Sequence, residues 1–160
     1  MHRKKFPIAW AAAIGVAVIA LGAFAATRSS AKAVPVVAGL KAVVVRSASC
    51  GCCGNFVAYL KRKGFEVETK FVEDSPKRRA DAGVPDALGS CHTTYVGSYV
   101  VEGHVPVEAI DKLLKEKPAV KGIGMPGMPS GSPGMPGPKT GPFTISSFQE
   151  DGTTSAFMEL

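Results

Sequence analysis

The first 33 residues contain no acidic side chain, and the rest of the chain has almost no excess of positive charge. Five of the 19 basic residues stand in that first segment, so residues 34–160 carry 14 basic against 13 acidic side chains and the net charge of +6 belongs to the N-terminus. A nucleic-acid binder working through a cationic face is disfavoured, because too few unbalanced cations remain to neutralise many phosphates. Histidine and cysteine are sparse too, three and four in 160 residues. That length leaves room for one ordinary domain once the N-terminal segment is set aside.

His2-Arg3-Lys4-Lys5 is a positive start, and residues 8–26 form an uncharged run dominated by Ala, Ile and Val. With Ala31-Lys32-Ala33 as a small-x-small cleavage pattern, residues 1–33 read as an export signal and residues 34–160 as the mature domain. The run is also just long enough to span a bilayer, so an uncleaved N-terminal anchor is the rival reading. Either way the flanking basic residues keep the N-terminus inside and put the domain outside the cytoplasm, in the periplasm, with membrane contact only if the segment is retained.

Export gives the four cysteines a context. Cys50, Cys52 and Cys53 crowd one turn, and Cys91 stands alone much later. Two structural disulfides are the first suspicion for an exported chain with an even count. Pairing Cys50 with Cys53 and Cys52 with Cys91 would avoid a vicinal bridge, yet three thiols in one turn suit such a framework poorly.

Leu40 to Val45 is a short β-branched run suited to a buried strand. Phe56, Val57 and Leu60 then recur at helical spacing over 55–63, and Gly64 fits the residue after a helix end, so the thiol cluster falls at a helix N-terminus. Residues 65–71 alternate, with Phe65, Val67 and Phe71 on the covered face. Ser75-Pro76 opens a short polar helix to about 82. Strands at 93–96 and 99–102 flank a Gly97-Ser98 turn, and Pro106 starts a helix whose Val107, Ile110, Leu113 and Leu114 form one apolar stripe before Pro118 ends it. This order, βαβ–α–ββα with cysteines where the first strand meets the first helix, predicts an α/β fold of thioredoxin-like type.

Residues 122–142 are dominated by Gly and Pro, interrupted by Met125, Met128 and Met135, and are expected to form a loop without helix or sheet. The segments 143–148 and 153–158 read as a terminal hairpin. The loop is thus held at both ends and can close over the cysteines.

Four motifs in order carry a family resemblance: Cys50-Gly51-Cys52-Cys53-Gly54, Ser90-Cys91-His92-Thr93, Val101-Glu102-Gly103-His104-Val105-Pro106 and Gly127-Met128-Pro129-Ser130-Gly131-Ser132-Pro133-Gly134-Met135. Over about residues 40–158 the chain resembles the CopG-type family of exported bacterial metal-binding proteins, formerly a domain of unknown function. The resemblance implies a thioredoxin-like fold, copper bound through the cysteines and a link to copper resistance. It also makes Met128 and Met135 the better thioether candidates, with Met125 undecided.

The residues support copper on their own account. A helix N-terminus favours thiolates, and thiolates that bridge several soft cations suit the crowding of Cys50, Cys52 and Cys53. Cu(I), in more than one ion, fits thiolate and thioether ligands. Zinc on Cys50, Cys53, Cys91 and a histidine is less favoured, since the spacing matches no common zinc framework. Cys91 occupies the place where thioredoxin-like oxidoreductases present a cis proline, which would set a fourth sulfur against the first three. His104, just before a helix start, is expected to be neutral and available as a ligand. His92 follows Cys91, and an extended strand there would point its ring away from that sulfur. The expected metal set is therefore Cys50, Cys52, Cys53, Cys91, His104, Met128 and Met135. The expected function is copper tolerance by sequestration, by transfer to another exported copper protein, or by Cu(I)/Cu(II) interconversion. A thiol–disulfide oxidoreductase using Cys50 and Cys53 is the alternative from another class, and a disulfide-stapled interaction domain a third.

Overall fold

The protein's structure, a computed structural model, describes residues 37–73 and 75–160; the segment expected to direct export, with its cleavage or retention, lies outside the described residues. Strand β1 (Lys41–Arg46) runs parallel to β2 (Glu66–Phe71), with helix α1 (Gly51–Arg62) between them. The helix starts at Gly51 rather than Asn55. Cys50 is its N-cap, and the bond from Gly54 N to Cys50 O closes a first turn that has no apolar periodicity to betray it. Gly64, at φ 100°, ends the element where a side chain would be strained.

Strand β2 alternates as expected, but it is the sheet edge and its last residue escapes cover. Phe71 is 59% exposed and carries the Arg46 guanidinium 5.0 Å over its ring instead of entering the core. Helix α2 (Ser75–Asp81) and a 3-10 turn (Asp86–Leu88) lead to β3 (His92–Val96) and β4 (Tyr99–Glu102), joined through Gly97 at φ 58°. Helix α3 (Val107–Glu116) follows with Pro106 as N-cap.

The expectation of an unstructured 122–142 fails at its start. Gly122–Gly124 is strand β5, parallel to β4 and antiparallel to β6 (Thr144–Phe148), which pairs in turn with β7 (Thr154–Glu159). The two glycines are there for close approach rather than flexibility. A Cβ on Gly122 would sit inside the Val100 carbonyl and within 2.8 Å of Phe148 Cζ, and one on Gly124 would press on Leu88. Composition signals entropy loss, whereas the neighbouring strands supply hydrogen bonds and cover.

The seven described strands form one sheet in the order β2-β1-β3-β4-β5-β6-β7. Residues alternate between its faces. Val44, Val101, Ile123 and Ile145 meet Phe56 and Leu60 of α1 and Ile110 and Leu113 of α3 in the main core. Val100 and Phe148 meet Ala82, Val84 and Leu88 in a second cluster. The result is a mixed α/β fold with three described helices, and the N-terminal turn of α1 lies beside the start of β3.

Candidate metal centre

Arg46, at the end of β1, donates from Nη1 to the carbonyls of Ser47 (3.0 Å) and Cys50 (2.9 Å) and so fixes the turn that delivers the thiols. Cys50 and Cys53 are joined in a disulfide across the first turn of α1, and Cys52 and Cys91 are free. Cys52 Sγ lies 3.5 Å from Cys50 Sγ and 3.8 Å from Cys91 Sγ, while buried Cys53 has its sulfur 3.6 Å from the Cys91 carbonyl. The expectation that Cys91 sets a fourth sulfur against the other three therefore describes the observed geometry, and Cys52 is its near neighbour without being bonded to it. The four sulfurs all lie within 4.8 Å of one another.

A second group shares Cys91. Its Sγ is 3.0 Å from His104 Nε2 and 3.5 Å from His92 Nδ1. His104 is fully buried rather than a solvated loop residue. Its Nδ1 stands 2.7 Å from the Pro133 carbonyl, which can only accept, so that nitrogen carries the proton and Nε2 turns its lone pair to the thiol. His92 departs from the expectation that its ring points away from Cys91. The turn at Ser90-Cys91 has not yet become extended strand, and the His92 ring lies tilted against Phe56 at 4.3 Å and edge-on to His104 at 4.7 Å. His92 Nε2 has no hydrogen-bond partner among the described residues.

Burial dominates the electrostatics. It holds both imidazoles below the ordinary histidine range, His92 furthest because His104 and Arg78 add to the effect, so both rings are neutral donors near pH 7. Burial, reinforced by the Cys52 thiol, pushes Cys91 up to about 12. The lowering of thiol pKa expected at a helix N-terminus does not extend to this sulfur, which lies off the helix.

The methionines are dispersed. Met125 is buried in the main core, Met128 is half exposed, and Met135 lines a groove along the Asn55, Ala58 and Arg62 flank of α1. What the Gly/Pro loop brings to the centre is backbone. Gly134 at φ 86° packs so closely on α1 that a Cβ would fall 2.7 Å from Phe56 N and 2.8 Å from Cys52 O, and Asn55 Nδ2 donates to its carbonyl at 3.4 Å.

Sequence reading missed Glu102 and Arg78. Glu102 ends an otherwise apolar strand and faces inward, fully buried, where it meets the Arg78 guanidinium at 2.9 Å. A charge at an inward register position of β4 was the available signal.

Thiolate sulfur is a soft donor and neutral imidazole a borderline one, and neither compact ligand group contains a carboxylate. This set suits copper. Cys50, Cys52, Cys53 and Cys91, with His104 and His92, are the residues that would hold it.

The family model described as a protein of unknown function, DUF411, matches residues 88–135, the stretch from the 3-10 turn through Cys91 and His104 to Met135. No curated protein matches. Two solved structures of a copper resistance protein CopG do. Form 1 is 36% identical with a TM-score of 0.69, and Form 2 is 38% identical with a TM-score of 0.68; each comparison covers 76% of this chain and 98% of that one. On that identity and coverage, the chain belongs to the CopG-type copper-resistance family.

Proposed function

We propose that this protein is an exported, thioredoxin-like copper-resistance protein that takes Cu(I) as cargo at the cysteine–histidine cluster. The single observation behind the reading is the convergence of three other sulfurs and two neutral imidazoles on Cys91, the residue common to both ligand groups. The strand order β2-β1-β3-β4, with the crossover helix carrying the thiols, supports the thioredoxin-like assignment. In the reduced chain Cys50, Cys52, Cys53 and Cys91 would hold the copper through sulfur, and His104 would supply nitrogen from a ring oriented by Pro133. Met128 and Met135 are proposed as accessory thioethers that join when the loop moves. Binding strips a proton from Cys91, so loading releases acid.

Sequestration, transfer to another exported copper protein and Cu(I)/Cu(II) interconversion are the uses these donors can serve. The test is anaerobic titration of the reduced protein with Cu(I) against a chromophoric chelator. More than one tightly held ion per chain is expected, and no retained copper would overturn the reading. A second reading has its own support, since the Cys50–Cys53 disulfide spans a helix N-terminus as a thiol–disulfide oxidoreductase requires. Insulin reduction separates the two: slow turnover is expected here, and fast turnover without copper binding would favour the oxidoreductase.

A further inference from the structure

Glu102 and Arg78 belong to neither ligand group. Glu102 Oε1 accepts from Ser90 N (3.0 Å) and Arg78 Nη2 (2.9 Å), and Oε2 accepts from Thr93 Oγ1 (2.6 Å). Arg78 Nη2 also donates to the Ser90 carbonyl at 3.1 Å. The pair therefore grips the Ser90-Cys91-His92-Thr93 turn on both sides of its ligand candidates. The following backbone ties this turn to the next: the Glu102 carbonyl accepts from Met125 N (3.1 Å), and Gly103 N, one residue before His104, donates to the His92 carbonyl (3.0 Å). Gly103, at φ 81°, lies so close to Ser90 and Met125 O that a Cβ would fall 2.7 Å from each.

We propose that the Arg78–Glu102 ion pair is the positioning device of this centre, locking the Cys91 turn to the His104 turn so that sulfur and Nε2 face each other at binding distance. Net stability is a poor account of the pair. Buried pairs add little beyond an apolar replacement of similar shape, and this one uses a single guanidinium nitrogen, leaving Arg78 Nε and Nη1 without partners among the described residues. What the pair adds is three directed hydrogen bonds to one four-residue turn. The functional meaning rests on the copper reading; the positioning itself is testable without metal.

The experiment uses the disulfide form, in which Cys52 and Cys91 are the free thiols, and follows their alkylation by iodoacetamide with peptide mass spectrometry. The variants are Arg78→Met with Glu102→Gln, which removes both charges together, and Thr93→Val, which removes one bond at near-constant shape. General loosening accelerates both cysteines alike, so the readout is the ratio of the Cys91 rate to the Cys52 rate. A rise of about tenfold is expected in the double variant and about threefold in Thr93→Val, with Cu(I) affinity of the reduced proteins falling by about 10- to 100-fold and about threefold. Folded variants with a ratio and Cu(I) affinity within twofold of wild type would overturn the proposal. If the double variant does not fold, an unchanged ratio in Thr93→Val overturns it alone. A wild-type chain that retains no Cu(I) would sink the copper reading, while the alkylation ratio would still decide the positioning.

Discussion

His104 has different duties on its two ring nitrogens, one donating to Pro133 and the other facing Cys91. Phenylalanine at this position keeps the ring and the edge contact with Phe56 but loses both duties. Cu(I) affinity of His104→Phe is expected to fall by about tenfold or more in chelator competition, with a folded circular dichroism spectrum. Single Cys→Ser changes at Cys50, Cys52, Cys53 and Cys91 should each lower copper stoichiometry, and Cys91 should cost most because it serves both ligand groups. The same residues set a pH signature in the metal-free protein. His92 and His104 have depressed native pKa values, so below about pH 6.5 the unfolded chain binds more protons and stability falls as pH drops. Cys91 has a raised one, so its contribution is full below the ordinary thiol value and is lost as pH climbs toward about 12. Urea midpoints measured across pH should therefore decline on both flanks, and Cys91→Ser should flatten the alkaline one.

Among elements, β5 and the Gly134 strap depend on the missing side chain rather than on freedom to bend. Gly122→Ala is expected to cost about 2 kcal/mol or more, because Val100 O is backbone and Phe148 is buried, so neither can yield cheaply. Gly134→Ala meets α1 backbone at a positive φ and should loosen the Pro133 carbonyl from His104, lowering copper affinity along with stability. Gly127→Ala is the control: it has a positive φ with open space around it, and should cost about 1–2 kcal/mol without changing copper affinity. Urea unfolding and chelator competition on the three variants check this ranking. The same contrast explains what sequence could reveal. Apolar patterning exposed β1, α1, β2 and α3, the Gly97-Ser98 turn marked β3 and β4, and the helix-terminal thiols followed from α1. β5 and the strap escaped because close backbone approach leaves no apolar pattern, only glycines that also spell loop. Glu102 and Arg78 escaped because the turn they hold is remote from both in sequence, and the bend that brings His92 Nδ1 to Cys91 is set by that turn rather than by strand alternation.

At the scale of the whole molecule, the almost balanced charge of residues 34–160 suits a domain that meets small cations rather than polyanions, and we propose that it works outside the cytoplasm. Mass spectrometry of the native protein is expected to find a chain beginning at or near Val34 and released by osmotic shock; an intact N-terminus in the membrane pellet would establish the anchor instead. The sheet also has a narrow waist. Six positions join β1 to β2, whereas β5 touches each of its neighbours at only three. Amide hydrogen exchange should therefore proceed in stages, the β6–β7 hairpin exchanging through openings that leave β1, β3 and the thiol-bearing helix protected. A chain built this way can open its terminal hairpin for a moment while the turns that carry the cysteines and His104 stay in place.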